Sequence, residues 1–412
     1  MTFSSIFLLF LAASIITRLW LNQRQISHIN AHQCAVPKEF AEKISLEEHQ
    51  KAAAYSTTKL RFSRLTLAWE TLWLLIWTIG GGLNLVDLWW AEQALTPIWT
   101  GVAVILSMTV LMSVIDLPFS LYSTFVIEEK FGFNKLTIKV WFSDLLKSTA
   151  LMLVIGVPLI LTILWLMLQA GTYWWFYAWA VWTVFSLFMI WAYPTFIAPI
   201  FNKFSPLSDE SLKNRIDSLL ERCGFNSQGV FVVDGSKRSA HGNAYFTGFG
   251  NNKRIVFYDT LLESLSEDEV EAVLAHELGH FRKNHIKKSM TISIALTLAG
   301  FALLDMLMNA PWFYASLGVE NSSTHTALML FMFVLPVFTY FISPIFSALS
   351  RKHEFEADDF AKQQSDYKAL ISALVNMYRD NASTLTPDPI HSMFYDSHPP
   401  ASIRIAHLNA KN

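Results

Sequence analysis

Long apolar stretches separated by short polar ones run through most of the chain. A bilayer-spanning helix needs about 20 mostly apolar residues. On that criterion Leu65 to Trp89, Pro97 to Leu117, Thr149 to Gln169, Tyr173 to Tyr193, Met290 to Met308 and Ala327 to Leu349 are expected to span a membrane. Ser4 to Ile16 is apolar as well, and Arg18 and Arg24 follow it, the reverse of the order in a cleaved signal peptide. It is expected to be a first membrane helix with its N-terminus outside, which makes seven spans. Between the fifth and sixth spans the pattern changes. Pro194 to Phe204, followed by Pro206-Leu207, predicts a proline-broken exit from the membrane, and from Ser208 the composition is that of a soluble domain. Glu210 to Cys223 predicts an amphipathic helix ended by Gly224, and Gly229 to Gly235 a strand and turn. Ala244 to Phe249 and Arg254 to Tyr258 flank Gly250 to Lys253 as a hairpin. Phe125 to Lys135, between two spans, predicts an interfacial segment with aromatic anchors.

Composition agrees with a mainly α-helical, polytopic membrane protein: 53% of residues are hydrophobic and only 16% charged. The net charge of -2 supplies no basic field, so a nucleic-acid partner is not expected. The charge distribution says more. Trp90 to Thr96, Ala170 to Thr172, Asn309 to Thr326 and the segment before the first helix contain no Lys or Arg. Basic residues collect on the cytoplasmic side of membrane proteins, so Gln25 to Arg64, Pro118 to Ser148, Pro194 to Ser289 and Ser350 to Asn412 are expected there. The two cysteines, Cys34 and Cys223, lack metal-site spacing, so a metal would have nitrogen and oxygen ligands.

Candidate chemistry sits in Ser266 to His285, whose middle reads His276-Glu277-Leu278-Gly279-His280. Ser266 and Glu269 form a capping-box pattern, so a helix is expected. Histidines four apart then project from one face, where they can share a Zn2+ with Glu277 beside them. A catalytic zinc needs one more protein ligand and an open position. After the last span comes Arg351-Lys352-His353-Glu354-Phe355-Glu356-Ala357-Asp358-Asp359. On a helix Glu354 and Asp358 share a face, whereas Glu356 points elsewhere. Glu354 is assigned as the third ligand and Asp358 as the acceptor that orients a ligand histidine, with His353 an outside candidate for ligation. In the tail, His398 and Arg404 could donate hydrogen bonds to a developing oxyanion or a substrate carboxylate. Tyr245 is the alternative to His398 as the group that could stabilise the oxyanion.

Taken together, the seven spans, Phe125-Val-Ile-Glu-Glu-Lys-Phe-Gly-Phe-Asn-Lys135, Ile197-Ala-Pro-Ile-Phe-Asn-Lys-Phe204, Asn243-Ala-Tyr, the His-Glu-Leu-Gly-His motif, Glu354-Phe-Glu-Ala-Asp358 and His398-Pro-Pro resemble the integral-membrane type I CAAX prenyl protease family of zinc metalloendopeptidases. The resemblance implies helices enclosing a large intramembrane chamber, capped by a cytoplasmic zincin-like domain with a small β-sheet. It implies one zinc per chain on His276, His280 and Glu354, Glu277 as the catalytic carboxylate, Asn243 and Ala244 on the substrate strand, and His398 and Arg404 near the active site. The expected divisions are 1–195 (five spans and loops), 196–289 (catalytic domain), 290–349 (the last two spans) and 350–412 (the rest of the catalytic domain). Expected partners are membrane lipids and a peptide or protein substrate, prenylated or membrane-associated. Compact loops and a tail lacking a retention signal lean towards a bacterial cytoplasmic membrane, with turnover of membrane or misfolded proteins as the role; a eukaryotic member would sit in the endoplasmic reticulum. The competing expectation is a transporter or lipid-handling protein with a structural zinc, for which Glu70, Asp87 and Asp305 would be the membrane charges.

Overall fold

The computed structural model describes residues 2–225, 227, 229–247 and 254–410. The N-terminal half is helical: α1 (Phe3–His32), α2 (Leu46–Trp77), α3 (Gly82–Ala91), α4 (Pro97–Tyr122), α5 (Ile138–Leu151), α6 (Val157–Gln169) and α7 (Trp174–Ala192). Single π turns at Ser123–Glu128, Met152–Gly156 and Tyr193–Ile197 extend α4, join α5 to α6 and extend α7. With α10 (His285–Met308), α11 (Thr324–Thr339) and α12 (Ser343–Gln364), six segments among the described residues are long and apolar enough to cross a membrane, or seven if the bent pair α2 and α3 forms one span. The expected straight span Leu65 to Trp89 is therefore broken. Its two halves meet at 46°. The break follows from Gly81, at φ 75°, and from Gly318, where a Cβ would lie 2.5 Å from the Thr78 carbonyl oxygen. Only glycine lets these two backbones approach so closely.

The membrane core joins Phe7, Leu83, Met108, Leu164, Phe313 and Leu330 from five of the helices and the connection after α10. Of the expected membrane charges Glu70, Asp87 and Asp305, the latter two have fixed partners. His325 Nε2 lies 2.6 Å from Asp87 Oδ1, both buried, and Trp174 Nε1 donates to Asp305 over 2.6 Å. This pairing gives them a structural use that a transport pathway would compete with.

The soluble part carries β1 (Phe204–Pro206), α8 (Glu210–Arg222), β2 (Val230–Val233), β3 (Ala244–Thr247), β4 (Arg254–Tyr258) and α9 (Glu267–Arg282), then α13 (Tyr367–Asp380), α14 (Pro389–Tyr395) and α15 (Ala401–Asn409) after α12. Sheet order is β1-β2-β4-β3, with β2 parallel to β4 and both outer pairings antiparallel. The expected hairpin is present as β3 paired with β4; Gly250 to Lys253 lie outside the described residues. The exit Pro194 to Phe204 does more than leave the membrane, because Phe204 to Pro206 pair with β2. A second core, including Ile216, Leu219, Phe257, Val270, Leu274 and Leu374, joins the sheet, α8, α9 and α13.

Phe125 to Lys135 is a correction to the expected interfacial anchor. Phe131 and Phe133 are buried with Ala52 and Tyr55 of α2. Ala240 donates its backbone N–H to Phe133 at 3.0 Å, Lys135 to Arg238 at 3.1 Å, and the Phe133 ring stacks on His241 at 4.3 Å. The loop thus braces the segment that leads into β3.

Candidate metal centre

The Ser266 capping box forms as expected, with Ser266 accepting from the Glu269 N–H and Glu269 accepting from the Ser266 N–H. It starts α9 so that His276 and His280 project one turn apart. Glu354 reaches them from α12, whose backbone crosses α9 at Gly279; a Cβ there would lie 2.8 Å from the Ala357 Cα. His276, His280 and Glu354 are the group that could hold a metal ion among the described residues.

The donor spacing is informative. His276 Nε2 and His280 Nε2 are 3.3 Å apart, and Glu354 oxygens lie 3.4 Å from the first and 3.3 Å from the second. Bonds of about 2.0–2.1 Å in a tetrahedral site require donor atoms about 3.3–3.4 Å apart. Glu354 Oε2 is also buried without a hydrogen-bond donor, as expected for an oxygen whose partner is an ion and not an N–H. The residues therefore fit a small divalent cation. Burial works to raise the Glu354 carboxyl, but the neighbouring His276 and His280 hold it well below the usual carboxylate range.

Around this triangle each expected residue has a definite place. Asp358, fully buried, lies 2.8 Å from His276 Nδ1, leaving Nε2 free to face the ion. Burial opposes ionisation of Asp358, yet hydrogen bonds from His276 and Arg404 keep its carboxyl below the ordinary range. Arg404 differs from its expected part as an open donor. It is buried, and Nε and Nη2 donate to Asp358 over 2.8 and 2.5 Å. His353 is not in the donor group; its ring stacks on His285 at 4.0 Å. His398 is exposed at the rim, with Nε2 3.5 Å from Glu354 Oε1. Glu277 is half-buried and, with Tyr245 and His280, lines a cavity of about 590 Å3 that continues between α7 and α10. Burial pushes the Tyr245 phenol up to about 12. Asn243 leads into β3, one of the two edge strands of the sheet, which Ala244 begins, and Asn243 accepts the Ala244 N–H on its own side chain over 2.8 Å.

Two participants were not legible in advance. His285 lies beside His280 and Glu356 lies beside His285. The two histidines are five positions apart, which is off-face for a continuous helix. The signal was Asn284, a residue type that tolerates the left-handed region, here at φ 56°. It ends α9 and turns the chain into α10.

Comparison with known proteins places this geometry in company. The family profile described as CAAX prenyl protease N-terminal, five membrane helices, matches residues 25–203, and that of peptidase family M48 matches residues 206–412. The chain is 34% identical to a CAAX prenyl protease 1 homolog of Arabidopsis thaliana over 98% of its own length and 96% of the relative's. It is 34% identical to CAAX prenyl protease 1 of Saccharomyces cerevisiae, covering 95% and 91% of the two chains, and 33% identical to the Homo sapiens homolog, covering 95% and 92%. The crystal structure of S. mikatae Ste24p superposes with a TM-score of 0.93 at 32% identity, over 100% of both chains.

Proposed function

The chain belongs to the CAAX prenyl proteases of peptidase family M48, and from that premise we propose that His276, His280 and Glu354 hold one Zn2+ per chain and that Glu277 is the carboxylate that moves the proton. It is an integral, multi-pass membrane metalloprotease. The observation that carries the site assignment is the triangle of donors from α9 and α12, spaced for a tetrahedral ion beside a cavity that Glu277 also lines.

Zinc held by His276, His280 and Glu354 would supply a Lewis acid for the scissile carbonyl and would lower the pKa of the attacking water to about 7. Glu277 takes a proton from that water and returns it to the leaving amine. Its partly buried position beside His280 suits both transfers. Tyr245 stays protonated across the physiological range and donates its O–H towards the developing oxyanion. His398 offers a second donor from the tail. Asp358 fixes the His276 tautomer, and Arg404 holds Asp358 in place.

The substrate is an extended peptide laid along β3, whose outer row of backbone groups has no sheet partner among the described residues. Its chemical class is that named by the relatives, the prenylated CAAX peptide, cleaved near its C-terminus; a role in removing misfolded membrane proteins is compatible with the same site. The lack of Lys and Arg in the outer loops supports a site on the cytoplasmic face, built from two stretches of sequence, 196–289 and 350–412. The test is Glu277→Gln in purified full-length protein with a farnesylated CAAX peptide. Zinc content should stay near one per chain while cleavage falls by about 10²–10⁴-fold. Full cleavage by the variant refutes the assignment.

A further inference from the structure

The two histidines of the triangle are held in different ways. His276 meets a carboxylate directly, at Asp358. His280 instead meets another imidazole: its Nδ1 lies 3.0 Å from Nδ1 of His285, whose Nε2 lies 2.9 Å from Glu356 Oε2. The proton positions in this chain follow from its two ends. Glu356 can only accept when ionised, so His285 carries its proton on Nε2. His285 Nδ1 is then an acceptor and receives the His280 Nδ1–H, which leaves the His280 Nε2 lone pair facing Glu354 and His276. No other arrangement of a neutral His285 satisfies both contacts.

The surroundings keep this arrangement in place. His285 is 3% exposed, and its ring stacks at 11° on His353 of α12. Lys288 and Lys352 flank Glu356 at 4.0 and 3.9 Å, favouring its charged form. Asn284, in the left-handed region, turns α9 into α10 and thereby brings His285 back under His280.

We propose that His285, backed by Glu356, is a positioning residue that orients His280 and sets how tightly the metal is retained. This inference rests on His280 being a ligand. Groups that orient a metal-binding histidine typically change metal affinity by about 10–100-fold when removed. His285→Phe keeps an aromatic ring for the stack on His353 but has no acceptor. His285→Asn places an amide oxygen where Nδ1 stands and so keeps one.

The experiment is Zn2+ competition against a chromophoric chelator, with full-length protein purified in detergent and metal-free melting followed in parallel. His285→Phe should weaken Zn2+ binding about 10–100-fold, His285→Asn should recover most of that loss, and Glu356→Leu should fall between them. Melting of the metal-free protein should move little in all three. Affinity within about twofold of the parent for His285→Phe overturns the proposal, as does equal weakness of the Asn and Phe variants or a matching fall in metal-free melting. His280→Ala is the control for the underlying reading: if it retains Zn2+ as the parent does, the ligand assignment fails, whatever the His285 variants do.

Discussion

Gly279→Ala tests whether the crossing of α9 and α12 sets the metal geometry. The added methyl would lie 2.8 Å from Ala357 Cα and 3.0 Å from its carbonyl oxygen, where ordinary contact begins at 3.4 Å. Both obstacles are backbone atoms. The helices must therefore separate by about 0.6 Å or tilt by an equivalent amount, whereas a metal site tolerates changes of only about 0.2 Å in its bonds. His276 and His280 stand on one helix and Glu354 on the other, so the displacement falls across the donor triangle. Overpacking of this kind costs about 1–3 kcal/mol in a close-packed interior. If that cost falls on the metal-loaded geometry, metal affinity is expected to fall by about 5- to 150-fold, since 1.4 kcal/mol corresponds to a factor of ten. Zn2+ per chain after graded chelation and the thermal midpoint of the loaded protein measure the two effects. Adding Ala357→Gly should rescue little, because the methyl it removes is the farthest of the three contacts, at 3.2 Å. Parent-like Zn2+ retention in the single variant, or full rescue in the double, would refute the reasoning.

Arg404→Leu leaves buried Asp358 without its cation, so stability should fall by about 3–5 kcal/mol, read as a lower melting midpoint; an unchanged midpoint contradicts the pairing. For Tyr245 the folded pKa is raised from 10.0 to about 12, so its contribution to stability is present below pH 10 and is lost as pH rises towards 12. Between about pH 6 and 9 the phenol stays protonated. The ratio of parent to Tyr245→Phe cleavage rates should accordingly be flat across that range, and a ratio that changes tenfold within it would remove Tyr245 as the oxyanion donor.

Much of this architecture was legible because the signals add locally. Hydropathy summed over a membrane thickness marks spans, and the absence of Lys and Arg marks alternate loops. The turn-by-turn spacing of His276 with His280 and of Glu354 with Asp358 marks shared helix faces. What escaped depends on partners distant in sequence. The break in the second span needs Gly318, and the parallel pairing of β2 with β4 leaves no mark in either strand. Arg404 looked available because nothing near it in sequence reveals Asp358. His285 looked irrelevant until a left-handed residue folded it back. Phe131 and Phe133 looked like membrane anchors because an aromatic buried against protein and one resting at a lipid interface are chemically the same.

The helix that supplies Glu354 begins at a short 3-10 turn, Tyr340–Ile342, which joins α11 to α12 within the last candidate membrane segment. Glu354 lies about 16 Å along α12 from Ser343, at 1.5 Å per residue. A pivot of one degree at the turn would move the carboxylate by about 0.3 Å, beyond the tolerance of roughly 0.2 Å for a metal bond. Arg351 opposes such a swing by donating to the carbonyl of Asp396 over 2.7 Å, tying the lever to the tail. The tail thus acts as a strut: by holding α12 near its midpoint it fixes where Glu354 meets the two histidines of α9.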